Sequence, residues 1–220
     1  MIDLSSNTAV SVPRRGFFGR LAGGMVIGLA GLAAAPLRAQ QSAPGNDSPE
    51  WPGTLKGRYR QVVDAYEVNS GFPLAFAYTF LAPNPPDSAA AVVILRHGAF
   101  PVALNSAMWE KYKIGESLKI TDPETKAMAV KNPFFRPKPG VLVVDEMSVD
   151  RLLASGTVFG ACNVALTVLS KRLASNAGVS ADDAAKDWAA NIIPGITVIP
   201  SGTWGVNRAQ LAGCTYCAGG

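Results

Sequence analysis

The chain has 220 residues, 48% of them hydrophobic, and a formal net charge of +4. Arg14, Arg15, Arg20 and Arg38 stand against Asp3 alone in the first 39 residues, so the remainder carries a formal charge of +1. That remainder has no block of Lys and Arg suited to nucleic acid and no acidic tail, and its roughly 180 residues suffice for one α/β domain with a good core.

The first element is Pro13-Arg14-Arg15-Gly16-Phe17-Phe18-Gly19-Arg20, an arginine pair followed by two aromatics and another basic residue. Leu21 to Ala35 continues it as an apolar run, too short and too rich in Gly and Ala for a membrane span. Leu37-Arg38-Ala39 has the small-residue character of a signal-peptidase site, with cleavage expected after Ala39. This order resembles the bacterial twin-arginine signal. Residues 1–39 are therefore predicted to be a signal peptide, with the twin-arginine (Tat) export machinery as a partner. The mature chain is expected in the periplasm with no stable membrane span. Gln40 to Pro52 is polar and rich in Pro, Ser and Gly, so residues 40–56 are predicted to be a flexible leader and residues 57–220 the folded domain.

Arg58 to Asp64 has partial alternation and is predicted as a first strand. Gly71 to Leu81 carries an apolar stripe too long for an ordinary strand, and Pro83, Pro85 and Pro86 end it, which predicts a helix. Ala90 to Leu95 is continuously apolar, the pattern of a parallel strand covered on both faces. After a break at 97–101, Asn105 to Tyr112 reads as a helix closed by Gly115. Ile120 to Pro139 has four prolines and reads as a long excursion outside the core. Asp145 to Ala154 is a predicted helix feeding a strand from Thr157 to Cys162, after which Asn163 is expected to cap a helix over 164–174. A further helix runs from the Ser180 cap to Asn191, followed by a strand over 196–200 and a helix from Thr203 to Leu211. The alternation predicts an α/β sandwich of two or three layers built from right-handed βαβ units around a mostly parallel sheet.

In open parallel sheets ligands bind beyond the carboxyl ends of the strands. Those ends are Arg96-His97-Gly98, Cys162-Asn163 and Ser201-Gly202, which points to one pocket with His97, Asn163 and Ser201 as binding residues. A thiol at position 162 would face the positive end of the following helix, an arrangement that favours thiolate; the competing reading is a small apolar residue that packs. His97 is the chain's one histidine and there are three cysteines, so no metal site is expected, and no bound cofactor either. Cys214-Thr215-Tyr216-Cys217 lacks the following histidine of a haem attachment and lies near a glycine-rich end. Reversible redox chemistry, metal capture and an ordinary oxidised loop all remain open for this pair. There is no Walker sequence, no Gly-x-Gly-x-x-Gly and no Gly-x-Ser-x-Gly, and no spacing supports a serine triad of His97 with Ser201 or Ser106.

Four stretches together resemble the DsrE/DsrF-like family, in its exported subgroup with a twin-arginine signal and a terminal Cys-x-x-Cys. They are Val92 to Gly98, Ala107 to Glu116, Phe159 to Leu166 and Pro200 to Gln210, of which the Cys162-Asn163 strand end and the run Ser201-Gly202 to Gln210 are the most specific. The resemblance implies a compact α/β sandwich, homo-oligomers such as trimers or hexamers, and a cysteine that accepts and passes on a persulfide. Cys162 matches that cysteine, which makes small sulfur species the expected ligands. The leading expectation is sulfane-sulfur binding or transfer, a sulfurtransferase-like activity; the alternatives are a non-catalytic binding or assembly module and a dithiol redox protein using Cys214 and Cys217.

Overall fold

The computed structural model describes residues 51–53 and 55–220. The predicted signal peptide, its expected cleavage site and most of the predicted leader lie outside the described residues. Five strands, β1 (Tyr59–Ala65), β2 (Ala89–Leu95), β3 (Val158–Cys162), β4 (Ile196–Ile199) and β5 (Thr215–Ala218), form one all-parallel sheet in the order β4-β3-β2-β1-β5. The helices are α1 (Phe72–Leu81), α2 (Ser106–Lys111), α3 (Ile114–Leu118), α4 (Val149–Ala154), α5 (Asn163–Leu173), α6 (Ala181–Ala190) and α7 (Gly202–Leu211). None of them is long and apolar enough to cross a membrane.

Right-handed crossovers explain which helix covers which face. The connections β1 to β2, β2 to β3 and β3 to β4 each step one place in the same direction, so α1 to α6 gather on one face. The last connection crosses back over the whole sheet to set β5 beside β1, and this reversal sends α7 to the other face. The result is a lopsided three-layer α/β sandwich. The larger core joins Val63, Val93, Leu95 and Phe159 of the sheet to Leu74, Trp109, Leu166 and Trp188. The smaller joins Val62, Val92 and Ile94 to Ala209 of α7 and to Trp51, Leu55 and Cys214. Strands β2 and β3 are buried between these layers, which is why β2 reads as an unbroken apolar run.

The predicted strands at 90–95, 157–162 and 196–199 are neighbours in one parallel sheet, as expected. Other expectations need correction. Trp51 and Leu55, assigned to the flexible leader, are 7% and 5% exposed and belong to the α7-side core. Trp51 fits because Gly160 has no side chain where the indole lies, a Cβ there falling 2.7 Å from the ring. The 120–139 segment is not outside the core, since Ile120, Ala129 and Phe134 are buried in the larger one. Buried Asn132 ties the segment to the stretch before α2: its Nδ2 donates to the carbonyls of Val102 and Leu104 while its Oδ1 accepts from Phe134 N. Gly115 does not end α2; the chain turns at Lys113, and Gly115 lies within α3 against the Ala129 backbone. Residues 215–218 form β5, an edge strand of four residues too short to carry a strand-like alternation.

Candidate functional site

The crossover reversal opens a crevice between the ends of β3 and β4, because α5 leaves β3 on one face and α7 leaves β4 on the other. A cleft of ≈ 970 Å³ lies there and extends over the ends of β1 and β2. It brings together Arg96, His97, Gly98, Cys162, Ser201 and Gly202 from the three predicted strand ends. Asn163 is the first residue of α5, is half-buried, and does not line the cleft.

Cys162 terminates β3 and is the N-cap of α5, where its Sγ accepts from Ala165 N at 3.3 Å. The expected cap, Asn163, is displaced by one position: the thiol sulfur takes the role of the usual side-chain oxygen. The cysteine is 5% exposed, packs with the larger core and is among the residues that line the cleft. Ser201 caps α7 in the same way, accepting from Trp204 N at 3.1 Å, with the Thr203 hydroxyl 3.2 Å from its own.

A chain of contacts builds the adjoining wall. Arg96 donates from Nε to Asp64 Oδ1 at 2.6 Å and from Nη2 to Oδ2 at 2.8 Å. This fork geometry fixes the guanidinium plane, and the bond to Asp64 raises the Arg96 pKa further above its already high range. The Asp64 side chain is 6% exposed, so its end of this ion pair lies out of water. Gly202 lets the arginine stem pass: a Cβ at that position would collide with Arg96. The guanidinium then lies 4.7 Å over the Tyr66 ring, which stacks on His97 at 4.2 Å, and His97 Nδ1 is hydrogen-bonded to Glu67 Oε1 at 2.8 Å. His97 holds a left-handed backbone at φ 45°, a conformation that persists because the stack and the Glu67 bond determine the ring position. From the far side Tyr216 of β5 donates its hydroxyl to Asp64 Oδ2 at 3.1 Å. Partial burial of that hydroxyl, then the hydrogen bond and charge of Asp64, raise the phenol pKa.

Asp64, Tyr66, Glu67 and Tyr216 were not among the expected site residues. Asp64 carried a readable signal, an acid set directly after the apolar pair Val62-Val63 in the buried half of its strand. Tyr216 carried none, since its partner is 152 residues away.

All three cysteines are free thiols. Cys214, just before β5, packs on the α7 side with Val62 and Val92; Cys217, inside β5 opposite Val63, packs on the larger core. The two sulfurs of the Cys-x-x-Cys therefore occupy opposite faces of the sheet. Burial pushes the Cys214 thiol up to about 11, against a smaller opposing effect of Arg60. Among the described residues no group of three or more His, Cys, Asp or Glu is placed to hold a metal ion.

No protein-family model matches the chain, and no curated protein matches it. Among solved structures, a protein of unknown function from Methanobacterium thermoautotrophicum is similar over 73% of this chain and 99% of its own, with 16% identity and a TM-score of 0.41.

Proposed function

We propose that the chain is an exported, DsrE-like sulfane-sulfur carrier in which Cys162 takes up and hands on a persulfide. One observation carries this reading: among the described residues, Cys162 is the one thiol of three that lines the cleft, at the crevice where a doubly wound sheet binds its ligands. The backbone N–H of Ala165 points at its sulfur, and that donor suits a developing anion on the cysteine. In the loading step the Cys162 thiolate attacks the outer sulfur of a persulfide R–S–SH. A bond forms between Sγ and that sulfur as the bond to the R–S sulfur breaks. The departing R–S takes the electron pair and, through solvent, the proton that the Cys162 thiol gave up on ionising, and leaves as the thiol, so no outside oxidant is consumed. Attack by an acceptor thiolate on the outer sulfur of the Cys162 persulfide reverses the sequence. Export to the periplasm by the twin-arginine route rests on the Arg14-Arg15 signal, and assembly into oligomers rests on the family resemblance.

The test is intact-mass measurement of the reduced mature protein after treatment with a persulfide donor. The expected result is a gain of one sulfur that survives in the Cys214→Ser/Cys217→Ser variant and is absent from Cys162→Ser. Sulfur uptake that ignores Cys162, or no uptake at all, would refute the proposal and leave a non-catalytic binding cleft as the better reading.

A further inference from the structure

Resting on that reading, we infer that the sulfur donor or acceptor served by the cleft is a carboxylate-bearing organic thiol of about tripeptide length, in its persulfide form, rather than an inorganic sulfur anion.

The shape of the cleft argues first. A ligand of three to five heavy atoms would leave most of ≈ 970 Å³ unfilled, whereas cavities of roughly 300–1,000 Å³ are typical of larger organic ligands. One wall is a single stripe of α5: Val164, Ala165, Val168, Leu169 and Arg172 recur at the three- and four-residue spacing that shares a helix face. Along it, Arg172 lies ten residues from Cys162, about 15 Å at the helical rise. A long helical side chain that leans back towards the helix N-terminus brings such a span down to about 10 Å, the reach of three extended residues.

Charge argues second. Arg96 and His97, near the thiol, are already engaged by Asp64 and Glu67. At the far end Lys119 and Arg172 both line the cleft, and among the described residues neither side chain has an ion-pair partner. These two cations belong to the same end because Asn176, four residues beyond Arg172, donates to Ser117 Oγ at 2.9 Å, two residues before Lys119. Between the thiol and these cations the stripe exposes Val164 and Val168, 54% and 59% accessible, which suit an uncharged middle. The complementary ligand holds a sulfur and a carboxylate apart across an uncharged arm, as glutathione does between the thiol of its central residue and the carboxylate of its γ-glutamyl arm.

The experiment compares loading of Cys162 by glutathione persulfide and by inorganic polysulfide, each at low concentration, following one-sulfur addition by intact mass. Expected is faster loading from the tripeptide persulfide, with its rate relative to polysulfide falling about tenfold in the Lys119→Ala/Arg172→Ala variant, the loss of a charge-assisted contact or two. A glutathione persulfide with both carboxyl groups amidated should load wild type with the same deficit. If polysulfide loads Cys162 as fast as the tripeptide persulfide, or if the ratio is unchanged in the variant, the substrate class is wrong while sulfur carriage stands. If neither donor loads Cys162, the sulfur-carrier reading itself falls.

Discussion

While β5 stays in the sheet, Cys214 and Cys217 should resist forming a disulfide with each other. Three residues of extended chain separate their Cα atoms by about 10 Å, beyond the limit of about 7 Å for a disulfide, and the thiols face opposite layers. Closure therefore requires β5 to leave β1, breaking the ladder at Gln61 to Asp64 and the Tyr216 bond to Asp64. A hydrogen bond to a charged acceptor is worth about 1.5–3 kcal/mol, and the lower end applies because Tyr216 is half exposed. Removing it in Tyr216→Phe should speed closure by about tenfold. The assay is oxidation with a slight excess of diamide in a Cys162→Ser background, quenching with alkylating reagent and counting free thiols by mass. A peptide of residues 212–220 sets the unrestrained rate, which should exceed both proteins. A wild-type rate equal to that of the peptide, or no acceleration in Tyr216→Phe, would refute the argument that docking of β5 restrains the pair.

Burial of Cys214 has a consequence at high pH. Its thiol titrates near 11 in the folded chain against an ordinary value of 9.0, so between these pH values the folded state keeps a proton that the unfolded state has released. Stability should fall by about 2–3 kcal/mol as pH rises through that window, and urea melts of Cys214→Ala should lack this part of the decline. For export, Arg14→Lys together with Arg15→Lys should leave the precursor in the cytoplasm, because the receptor reads paired guanidinium groups. Fractionation showing normal periplasmic accumulation of that variant would count against the signal.

Strands β2 and β3 were legible because they are buried on both faces, which leaves an apolar run in the sequence, and β4 because buried isoleucines stand at both of its ends. Cys162 was legible as a strand end before a helix, and the shared cleft followed from placing three such ends side by side. Strand β5 was not, because Thr215-Tyr216-Cys217-Ala218 is a short edge strand whose place is set by β1 rather than by its own pattern. The core residues of 120–139 escaped because Ile120, Ala129 and Phe134 are scattered singly among prolines and polar residues, with neither helical nor strand period. Site residues Asp64, Arg96 and Tyr216 meet across 32 and 152 residues of chain, separations at which local sequence carries no record of the partner.

The pairing of β1 with β5 has a bearing on synthesis. During translation the first strand emerges with both edges unmet; β2 soon covers one, but the other waits for Thr215 to Ala218, far along the chain. Until then an unpaired strand edge is available to other chains, a recognised route to aggregation. Contacts of such long sequence separation also form slowly, since loop closure must precede any gain from the pairing. The wall that holds Arg96 is completed at the same late moment, when Tyr216 reaches Asp64. The cleft can therefore take its final form only once the chain has been made as far as β5 and that strand has docked on β1.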